Sequence, residues 1–377
     1  MTTLCFIFGT RPEAIKLAPV VLLARRQPDR FTTHVCVTGQ HRQMLDQMLA
    51  VFDITPDVDL DLMRPNQTLA DISARTIQGV SGVLETARPD WVLVQGDTTT
   101  VWAAAVAAFF LGIRVAHVEA GLRTNDKRQP FPEEINRRLA SQIADLHFAP
   151  TERARANLLA EGAPADRVVV TGNTVIDALH WVLARNRTCP SADVAAIREW
   201  ADRHVGDRRM VLITGHRRES FGEGFMNICR AIATLAADSP DVAWVYPVHL
   251  NPNVQEPVRA ILGNVEGVHL IEPQPYAAFA WLMDRSCLIL TDSGGVQEEA
   301  PSLGKPVLVM RNKTERPEGV EAGVVRLVGN NYDRIVAGCR QMLSQDLSKW
   351  PRVGPYGDGH AAERILRALA DTPEEGA

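Results

Sequence analysis

Residues 3–16 read TLCFIFGTRPEAIK: an apolar run, a glycine turn, and basic residues that enter a segment of helical period. Residues 210–217, MVLITGHR, repeat this arrangement in the second half of the chain. Elsewhere, short runs rich in Val, Ile and Leu alternate with helical segments, which is typical of parallel βαβ units. We therefore expect an α/β protein with two Rossmann-like domains, whose ligand site lies in the interdomain cleft at the carboxyl ends of the strands.

The same pattern predicts the elements and the domain bounds. Strands are expected at Thr3–Phe8, Thr33–Val37, Trp91–Gln95, Arg114–Val118, Leu146–Ala149, Val168–Val170, Met210–Thr214, Ala243–Pro247, Val268–Ile271, Leu288–Thr291 and Pro306–Val309. Residues 186–193, NRTCPSAD, have linker character because Pro190 forbids a continuous helix. We expect an N-terminal domain over residues 1–172 and a C-terminal domain over residues 173–359, with a helix in residues 360–377 packing on the first domain.

Composition restricts the classes of protein that fit. The chain has 377 residues, 46% of them hydrophobic and 23% charged, which is ordinary for a globular protein with two cores. Its net charge of −5 argues against a nucleic-acid or membrane partner. Six scattered cysteines without a CxxC pair argue against disulfides and a zinc site. With no basic leader, and with an apolar stretch at Val101–Ile113 too short to span a bilayer, the sequence predicts a cytoplasmic protein.

Three acidic residues are expected at one rim of the first domain. Asp97 and Glu119 directly follow two predicted strands, and Glu133 opens a helix after the loop PFP. Residues just past the strand ends of a parallel sheet line its ligand crevice. The alternative is structural: Asp97 would cap the next helix, and Glu133 would complement a helix dipole. The convergence of three carboxylates favours acid–base chemistry.

Basic residues near the glycine turns are candidates for anion binding. In the first domain, Arg11 lies at the turn and Lys16 lies one helical turn later, where both would attract a phosphate. In the second domain, His216 lies beside Arg217 after the first strand, where a cation would stabilise a departing charge. Neither GxGxxG nor the P-loop pattern is present, so NAD and P-loop nucleotide chemistry are not indicated.

Residues 288–295, LILTDSGG, are a predicted strand that runs into a glycine pair at the start of a helix. The two glycines let the backbone approach a diphosphate closely, while Ser293 and backbone N–H groups donate hydrogen bonds. Glu299, near the second turn, is placed to accept from a ribose hydroxyl. An ordinary N-cap by Ser293 is the alternative, but consecutive glycines are costly in a helix and favour a ligand. Phe279 is either a base-stacking residue or a core aromatic.

A series of motifs along the chain resembles one enzyme family. The blocks are FGTRPEAIKLAPV, TGQHRQML, GDTTT, HVEAGLRT, PFPEEINR, TGNTVIDAL, TGHRRESFG, YPVHLNPNV and TDSGGVQEEAPSLGKPVLVMR, followed by TERPEGV and PYGD. From about Phe6 to Asp358 the chain resembles the bacterial non-hydrolysing UDP-N-acetylglucosamine 2-epimerases. The resemblance implies the GT-B arrangement of two Rossmann-like domains, a homodimer, and neither a metal nor a redox cofactor.

The resemblance also implies a set of substrate contacts. Gln274 and Phe279 would hold the uracil and Glu299 the ribose, and the diphosphate would lie on residues 293–295 beside cations of the two glycine turns. The matching positions are Arg11, Lys16, Asp97, Glu119, His216, Gln274, Phe279, Ser293, Gly294, Gly295, Glu299 and Arg316.

In many bacterial members of the family, a second UDP-N-acetylglucosamine molecule binds beside the active site and activates it. The matching positions in this chain are Gln40, Gln43, Arg217 and His249. Asn66 stands where the strongly activated members have arginine, so the chain departs from the family pattern of this activation. Residues 312–313, Asn-Lys, also differ from the family, and no effect is implied for them.

The family reaction is interpreted as elimination and re-addition. The C2 hydrogen of the sugar is not next to a carbonyl, so UDP is expelled from C1 to give a 2-acetamidoglucal, and re-addition delivers the proton to the other face. We expect Asp97, Glu119 and Glu133 to handle the C2 proton and the sugar hydroxyls. His216, supported by Arg11 and Lys16, would assist the departure of UDP.

Four alternatives remain open from the sequence. The same chemistry on a modified substrate, such as a UDP-2,3-diacetamido sugar acid, is compatible with the variable stretch Thr124–Gln129. A hydrolysing relative would release free N-acetylmannosamine and UDP. A GT-B glycosyltransferase would pass the sugar to an acceptor, and an inactive sugar-nucleotide binding protein would do neither.

Overall fold

The computed structural model describes residues 1–39, 42–64, 66–217 and 221–372. The chain divides into two compact units. The first holds Met1–Trp181 together with the described residues from Gly357 onward, and the second holds Val182–Tyr356. The division lies between Trp181 and Val182, whereas the sequence pattern placed it after residue 172.

The first unit contains a parallel sheet of seven strands among the described residues. These are β1 (Thr2–Phe8), β2 (Phe31–Val37), β3 (Val58–Asp59), β4 (Trp91–Gln95), β5 (Arg114–Val118), β6 (Leu146–Ala149) and β7 (Val168–Val170). Their order is β3-β2-β1-β4-β5-β6-β7. The strand order reverses between β1 and β4, which is the point where Rossmann-like sheets bind ligands. Strand β4 is buried along its whole length, as expected when helices cover both faces.

The second unit repeats this topology with six parallel strands in the described ranges. These are β8 (Arg209–Thr214), β9 (Val242–Pro247), β10 (Val268–Ile271), β11 (Leu288–Thr291), β12 (Val307–Val309) and β13 (Val325–Leu327). Their order is β10-β9-β8-β11-β12-β13, so the reversal lies between β8 and β11. The predicted pair of Rossmann-like sheets is therefore confirmed.

Helices connect the strands in both units. They are α1 (Arg11–Arg25), α2 (Arg42–Phe52), α3 (Leu69–Ala87), α4 (Thr99–Phe110), α5 (Glu133–Ile143), α6 (Glu152–Ala160), α7 (Thr174–Thr188), α8 (Ala192–His204), α9 (Glu223–Asp238), α10 (Pro252–Leu262), α11 (Tyr276–Arg285), α12 (Gly294–Ser302), α13 (Pro317–Glu321), α14 (Tyr332–Leu343) and α15 (Ala361–Asp371). Helix α15 packs against α1 in the first unit. The buried Asp177 of α7 fixes its start, because this carboxylate accepts from the N–H groups of Ala361 (3.2 Å) and Ala362 (2.8 Å).

The prediction of a linker at residues 186–193 was wrong. Helix α7 continues to Thr188, and only three residues separate it from α8. Asn186 is buried, and its side-chain amide donates to the carbonyl of Ala277 (2.9 Å). Pro190 does end the helical run, but it lies in a tight connection inside the second unit.

Helix α4 carries the most apolar stretch of the chain. Its alanine and valine residues are mostly buried against the sheet, while Phe109 and Phe110 near its end are 64% and 68% exposed. The helix spans only 12 residues. Across the described part of the chain, we find no helix with the length and apolar character required to traverse a lipid bilayer.

The six cysteines are free thiols in the structure. Burial raises the pKa of Cys36, Cys229 and Cys339 to about 12, and it raises the pKa of Cys5 further. Cys189, between α7 and α8, is exposed. The buried thiols serve as small apolar groups of the cores.

Candidate functional site

The residues singled out from the sequence lie mainly at the strand-order reversals of the two sheets. In the first unit, Arg11 opens the helix after β1, and the loops after β4 and β5 carry Asp97 and Glu119. In the second unit, the loops after β8 and β11 carry His216 and Ser293. Each unit therefore presents a set of polar side chains at the carboxyl edge of its sheet, where ligands of this fold bind.

A buried carboxylate holds the turn after β1. Glu13 Oε2 accepts from the N–H groups of Gly9 (2.9 Å) and Thr10 (2.7 Å), and its Oε1 accepts from the hydroxyl of Thr98 (2.6 Å) in the loop after β4. Burial raises the pKa of Glu13, and these three donors oppose that rise. The sequence interpretation overlooked Glu13, although Thr10 and Glu13 have the spacing of a capping box.

This brace changes the prediction for the start of α1. The N–H groups of Gly9 and Thr10, in the turn that was expected to attract a phosphate, donate to Glu13. Lys16 also has a partner within the first unit, because its ammonium donates to Glu119 Oε2. Arg11 is exposed at the first position of α1 and is the cation of this turn that faces solvent.

Glu119 is held in a defined orientation. Its Oε2 accepts from Lys16 and from the side-chain amide of Gln95, and the carboxylate is almost fully buried. The backbone of Glu119 lies in the left-handed region with φ of 63°, which is uncommon for a residue other than glycine. Such strained residues cluster at functional sites, because surrounding contacts must hold them in place.

Asp97 lies in the loop after β4 and is 31% exposed. Its Oδ2 accepts from Arg137 Nη2 (2.6 Å), and its backbone carbonyl accepts from the Asn136 side chain (3.0 Å). Thr98, not Asp97, is the N-cap residue of α4. The alternative interpretation of Asp97 as a helix cap was therefore wrong.

The two acidic residues at the start of α5 differ in their surroundings. Glu134 is fully buried and accepts from the N–H groups of Thr124 (3.0 Å) and Asn125 (3.2 Å) and from Arg138 Nε (3.1 Å). Burial raises the pKa of Glu134, but these donors outweigh it and hold the pKa below its ordinary value. Glu133 Oε2 is also hidden, yet it has no hydrogen-bond partner among the described residues. Glu133 is therefore available to a ligand, whereas Glu134 holds the loop at residues 124–129.

Arg137 is a further site residue that the sequence interpretation did not assign. It lies one turn after Glu133 on α5, donates to Asp97, and approaches Glu134 Oε2 at 3.6 Å. Its Nε is buried without a partner in the described residues. The spacing of four residues between Glu133 and Arg137 was a usable signal, since such positions share a helix face.

His117 positions the loop that carries Asp97. Its Nε2 bonds to the carbonyl of Gly96 (2.7 Å), whose φ of 80° turns the chain after β4. Burial lowers the pKa of His117 to about 3, so the neutral ring donates this hydrogen bond.

In the second unit, Asp292 holds the loops at the strand-order reversal, as Glu13 does in the first unit. Asp292 is fully buried, and its Oδ2 accepts from the N–H groups of His216 (2.7 Å) and Arg217 (2.8 Å). Its Oδ1 lies 3.5 Å from His216 Nδ1. The loop after β8 is thereby tied to the loop after β11, and the sequence interpretation did not foresee this role for Asp292.

The imidazole of His216 is 41% exposed and stacks on that of His249, with ring centroids 5.3 Å apart and an interplanar angle of 14°. His249 Nδ1 accepts from the N–H of Asn251 (3.1 Å). Two of the positions implied for regulation, Arg217 and His249, thus lie close to His216. Gln43 lies exposed on α2 of the first unit, and Gln40 lies outside the described residues. Asn66 adopts a left-handed φ of 59°, a conformation that asparagine tolerates.

The start of α12 has the features of an anion site. Ser293 is the N-cap residue, as the alternative interpretation had it, but its side chain makes no capping hydrogen bond. A Cβ on Gly294 would lie 3.2 Å from Arg316 Cζ, so glycine lets the guanidinium approach the helix. Glu298 Oε1 accepts from Arg316 Nε (2.8 Å) and fixes it there. A helix N-terminus next to an arginine attracts phosphate groups.

The residues expected around a nucleoside lie on α11 and α12. Glu299 is buried, and its Oε1 accepts from the hydroxyl of Tyr276 (3.0 Å). Gln274 and Phe279 are half-buried near the start of α11, and the Gln274 amide donates to the carbonyl of Glu272 (2.8 Å). Tyr276 is a contact that the sequence interpretation missed, although it lies between the candidate residues Gln274 and Phe279.

The two units offer different chemistry. The first presents three carboxylates, which can accept and deliver protons, and the second presents a helix N-terminus with cationic side chains, which can stabilise an anion. In the part of the chain that the structure describes, no cluster of three or more His, Cys, Asp or Glu side chains is placed to hold a metal ion.

Comparison with known proteins identifies the family. A family model described as UDP-N-acetylglucosamine 2-epimerase matches residues 24–370. The chain belongs to this family. The UDP-N-acetylglucosamine 2-epimerase of Salmonella typhimurium is 55% identical over 370 residues, which cover 96% of this chain and 97% of the relative. The Escherichia coli UDP-N-acetylglucosamine 2-epimerase is 54% identical over 371 residues, with the same coverage.

Solved structures of epimerases share the fold. The Neisseria meningitidis UDP-GlcNAc 2-epimerase bound to UDP-GlcNAc is 47% identical, with a TM-score of 0.86 and coverage of 98% of this chain and 100% of that chain. The Methanocaldococcus jannaschii UDP-GlcNAc 2-epimerase in complex with UDP-GlcNAc and UDP is 35% identical, with a TM-score of 0.77 and coverage of 98% and 100%. These similarities confirm the resemblance that the sequence motifs indicated.

Proposed function

We propose that the chain catalyses the reversible epimerisation of UDP-N-acetylglucosamine to UDP-N-acetylmannosamine at C2. The observation that carries this proposal is the nearly full-length similarity, at 55% identity, to the Salmonella typhimurium epimerase. The carboxylates of the first unit and the anion-binding groups of the second supply the two kinds of chemistry that this reaction needs.

The proposed reaction is an elimination followed by its reverse on the opposite face. A carboxylate removes the C2 proton, the C2–H electron pair forms a C1=C2 double bond, and the C1–O bond breaks with its electron pair leaving on UDP. The intermediate is a 2-acetamidoglucal. Re-addition of UDP to C1, with a proton delivered to the other face of C2, gives the epimer without net oxidation or reduction.

Asp97, Glu119 and Glu133 are assigned to the C2 proton and the sugar hydroxyls. The hidden Oε2 of Glu133, which has no partner among the residues that the structure describes, suits an atom that meets a substrate, since a buried polar atom normally has a partner. Glu119 is oriented by two donors on one oxygen. Asp97 is oriented by Arg137 while it stays partly exposed.

The departing UDP is assigned to the second unit, with Arg11 and Lys16 in support. The N–H groups at the start of α12 and the adjacent guanidinium of Arg316 favour the negative charge that grows on the diphosphate. His216 is placed on the loop that Asp292 holds. Stabilising a leaving group in this way contributes factors of about 10² or more to the rate.

Isotope exchange tests the reaction class directly. Incubation with UDP-N-acetylglucosamine in D2O should place deuterium at C2 of both UDP-linked epimers, as followed by proton NMR. Glu133→Gln should lower the exchange rate by about 10²-fold or more. Glu152→Gln is the matched control, because Glu152 is a largely exposed residue in the first turn of α6. Unchanged hydrogen at C2 in the parent enzyme would refute the proposal.

The same experiment separates the alternatives. Accumulation of free N-acetylmannosamine would indicate a hydrolysing enzyme. Epimerisation of a UDP-2,3-diacetamido sugar acid in preference to UDP-N-acetylglucosamine would indicate that the modified sugar is the substrate. Consumption of the sugar nucleotide only when an acceptor is added would indicate a glycosyltransferase.

We also propose that the protein is a cytoplasmic homodimer. Phe109 and Phe110 of α4 and Ile135 and Leu139 of α5 are exposed apolar side chains on helices that contact each other. Exposed apolar patches of this kind mark interaction surfaces. The free thiols fit a reducing compartment. Light scattering on the purified protein tests the dimer, and a monomer mass at micromolar concentration would exclude it.

A further inference from the structure

The carboxylate of Glu299 reaches back along its own helix. Glu299 Oε2 lies 3.7 Å from the position that a Cβ on Gly295 would occupy, one helical turn earlier in α12. The carboxylate therefore stands beside the helix N-terminus to which the diphosphate is assigned. Side chains in helices normally point toward the N-terminus in this manner.

The other oxygen of this carboxylate is tied to a neighbouring helix. Glu299 Oε1 accepts from the phenol of Tyr276, the first residue of α11, at 3.0 Å. Burial, and then the charge of Glu299, raise the pKa of Tyr276 well above its ordinary value. The phenol therefore keeps its proton and serves as a donor, so its bond to Glu299 is a charge-assisted one.

We propose that Tyr276 is a positioning residue for the nucleoside: its hydroxyl holds the Glu299 carboxylate in the orientation that accepts hydrogen bonds from the ribose hydroxyls. Selection of a ribonucleotide over a 2′-deoxyribonucleotide then depends on a residue that need not touch the sugar. This inference rests on the proposed function, and specifically on the assignment of the ribose to Glu299.

The physical reason is the free energy that is lost when a mobile side chain is ordered on binding. A glutamate that is free to rotate must be ordered when the ribose binds, and this ordering lowers the affinity. The Tyr276 hydroxyl orders the Glu299 carboxylate before the ribose binds, so this loss of affinity is avoided. A site built to bond a hydroxyl also rejects the analogue that lacks it, because its acceptor is left unpaired.

Binding of UDP and 2′-deoxy-UDP by isothermal titration calorimetry tests the inference. The parent protein should prefer UDP by about 10- to 100-fold, as expected for a hydrogen bond to a charged group. Tyr276→Phe should reduce this preference by about 2- to 10-fold, the worth of one hydrogen bond. With UDP-N-acetylglucosamine as substrate, the same variant should raise KM and leave kcat nearly unchanged, because the ribose contact is common to the ground and transition states.

Tyr332→Phe is the matched control. Its hydroxyl shares a hydrogen bond with the hydroxyl of Thr234 in the second unit (2.9 Å), and it lies on a different helix, α14. This variant should keep the full preference for UDP. Both variants retain the aromatic ring, and equal thermal unfolding midpoints would exclude a general loss of structure.

The outcomes distinguish the inference from the assignment beneath it. If the parent protein does not discriminate between UDP and 2′-deoxy-UDP, the ribose assignment fails. A second pattern refutes only the inference: the parent prefers UDP, Glu299→Gln abolishes this preference, and Tyr276→Phe preserves it. In that case Tyr276 has no positioning role. The double variant should equal Glu299→Gln alone, since both changes act on one interaction.

Discussion

Acidification should destabilise the first unit through two buried histidines on neighbouring strands. His117 of β5 pairs in register with His147 of β6, and both side chains are buried. Burial lowers the pKa of His117 to about 3 and that of His147 to about 4, from an ordinary value of 6.5. The nearby positive charge of Arg123 lowers both further.

The sign and the size follow from proton binding. Below pH 6.5 the unfolded chain takes up protons that the folded rings refuse, so stability is complete above that pH and is lost as the pH falls. A pH of 5 lies about 1.5 units below the pKa of a histidine in the unfolded chain. Protonation therefore stabilises the unfolded state by about 2 kcal/mol per ring. This figure holds when the folded pKa lies well below 5, as it does for both rings, so together they remove about 4 kcal/mol from the free energy of unfolding.

Urea unfolding at pH 7.5 and pH 5 measures this loss. His117→Gln and His147→Gln should each lose about 2 kcal/mol less than the parent over the same interval, because each lacks one of the two titrating rings. Hydrogen exchange of the β5 and β6 amides assigns the loss to the first unit. Variants that lose as much stability on acidification as the parent would refute the reasoning.

Three further changes test the site. Asp97→Asn should lower kcat with UDP-N-acetylglucosamine by about 10²-fold or more; near-normal turnover would remove Asp97 from the mechanism. Glu13→Ala leaves three donors unpaired and should lower the free energy of unfolding, measured by chemical denaturation, by about 3–6 kcal/mol. Glu13→Gln keeps an acceptor and should cost less. Equal losses in the two variants would contradict the role of Glu13 in holding the turn. Gly294→Ala places a methyl 3.2 Å from Arg316 and should weaken UDP binding in calorimetry; Gly82→Ala, with open space around it, is the control, and equal affinities would argue against an anion site there.

The fold was largely predictable because the parallel strands are buried on both faces and read as continuous apolar runs. Strands β4 to β7 have the predicted bounds. Strands β3 and β13 were missed, since two or three residues at a sheet edge leave no pattern in the sequence. The extent of α7 was missed because Pro190 marks a helix end without saying which elements it separates.

The candidate site was predictable where it depends on chain position and not where it depends on distant partners. Asp97 and Glu119 could be proposed from the sequence because they follow strands. The roles of Asp292 and Tyr276 rest on contacts with residues 76 and 23 positions away, which no local spacing reveals. Glu133 and Glu134 are adjacent and identical in type, and only the hydrogen-bond partners of each separate an available carboxylate from a structural one.

The contrast between the cysteines has a practical consequence. Cys189 is exposed, whereas burial raises the pKa of four other thiols and of the half-buried Cys287. Because the thiolate is the reactive form, a maleimide dye at neutral pH should attach first at Cys189. The natural chain thus offers a single labelling handle, through which nucleotide titrations can be followed by fluorescence without engineering.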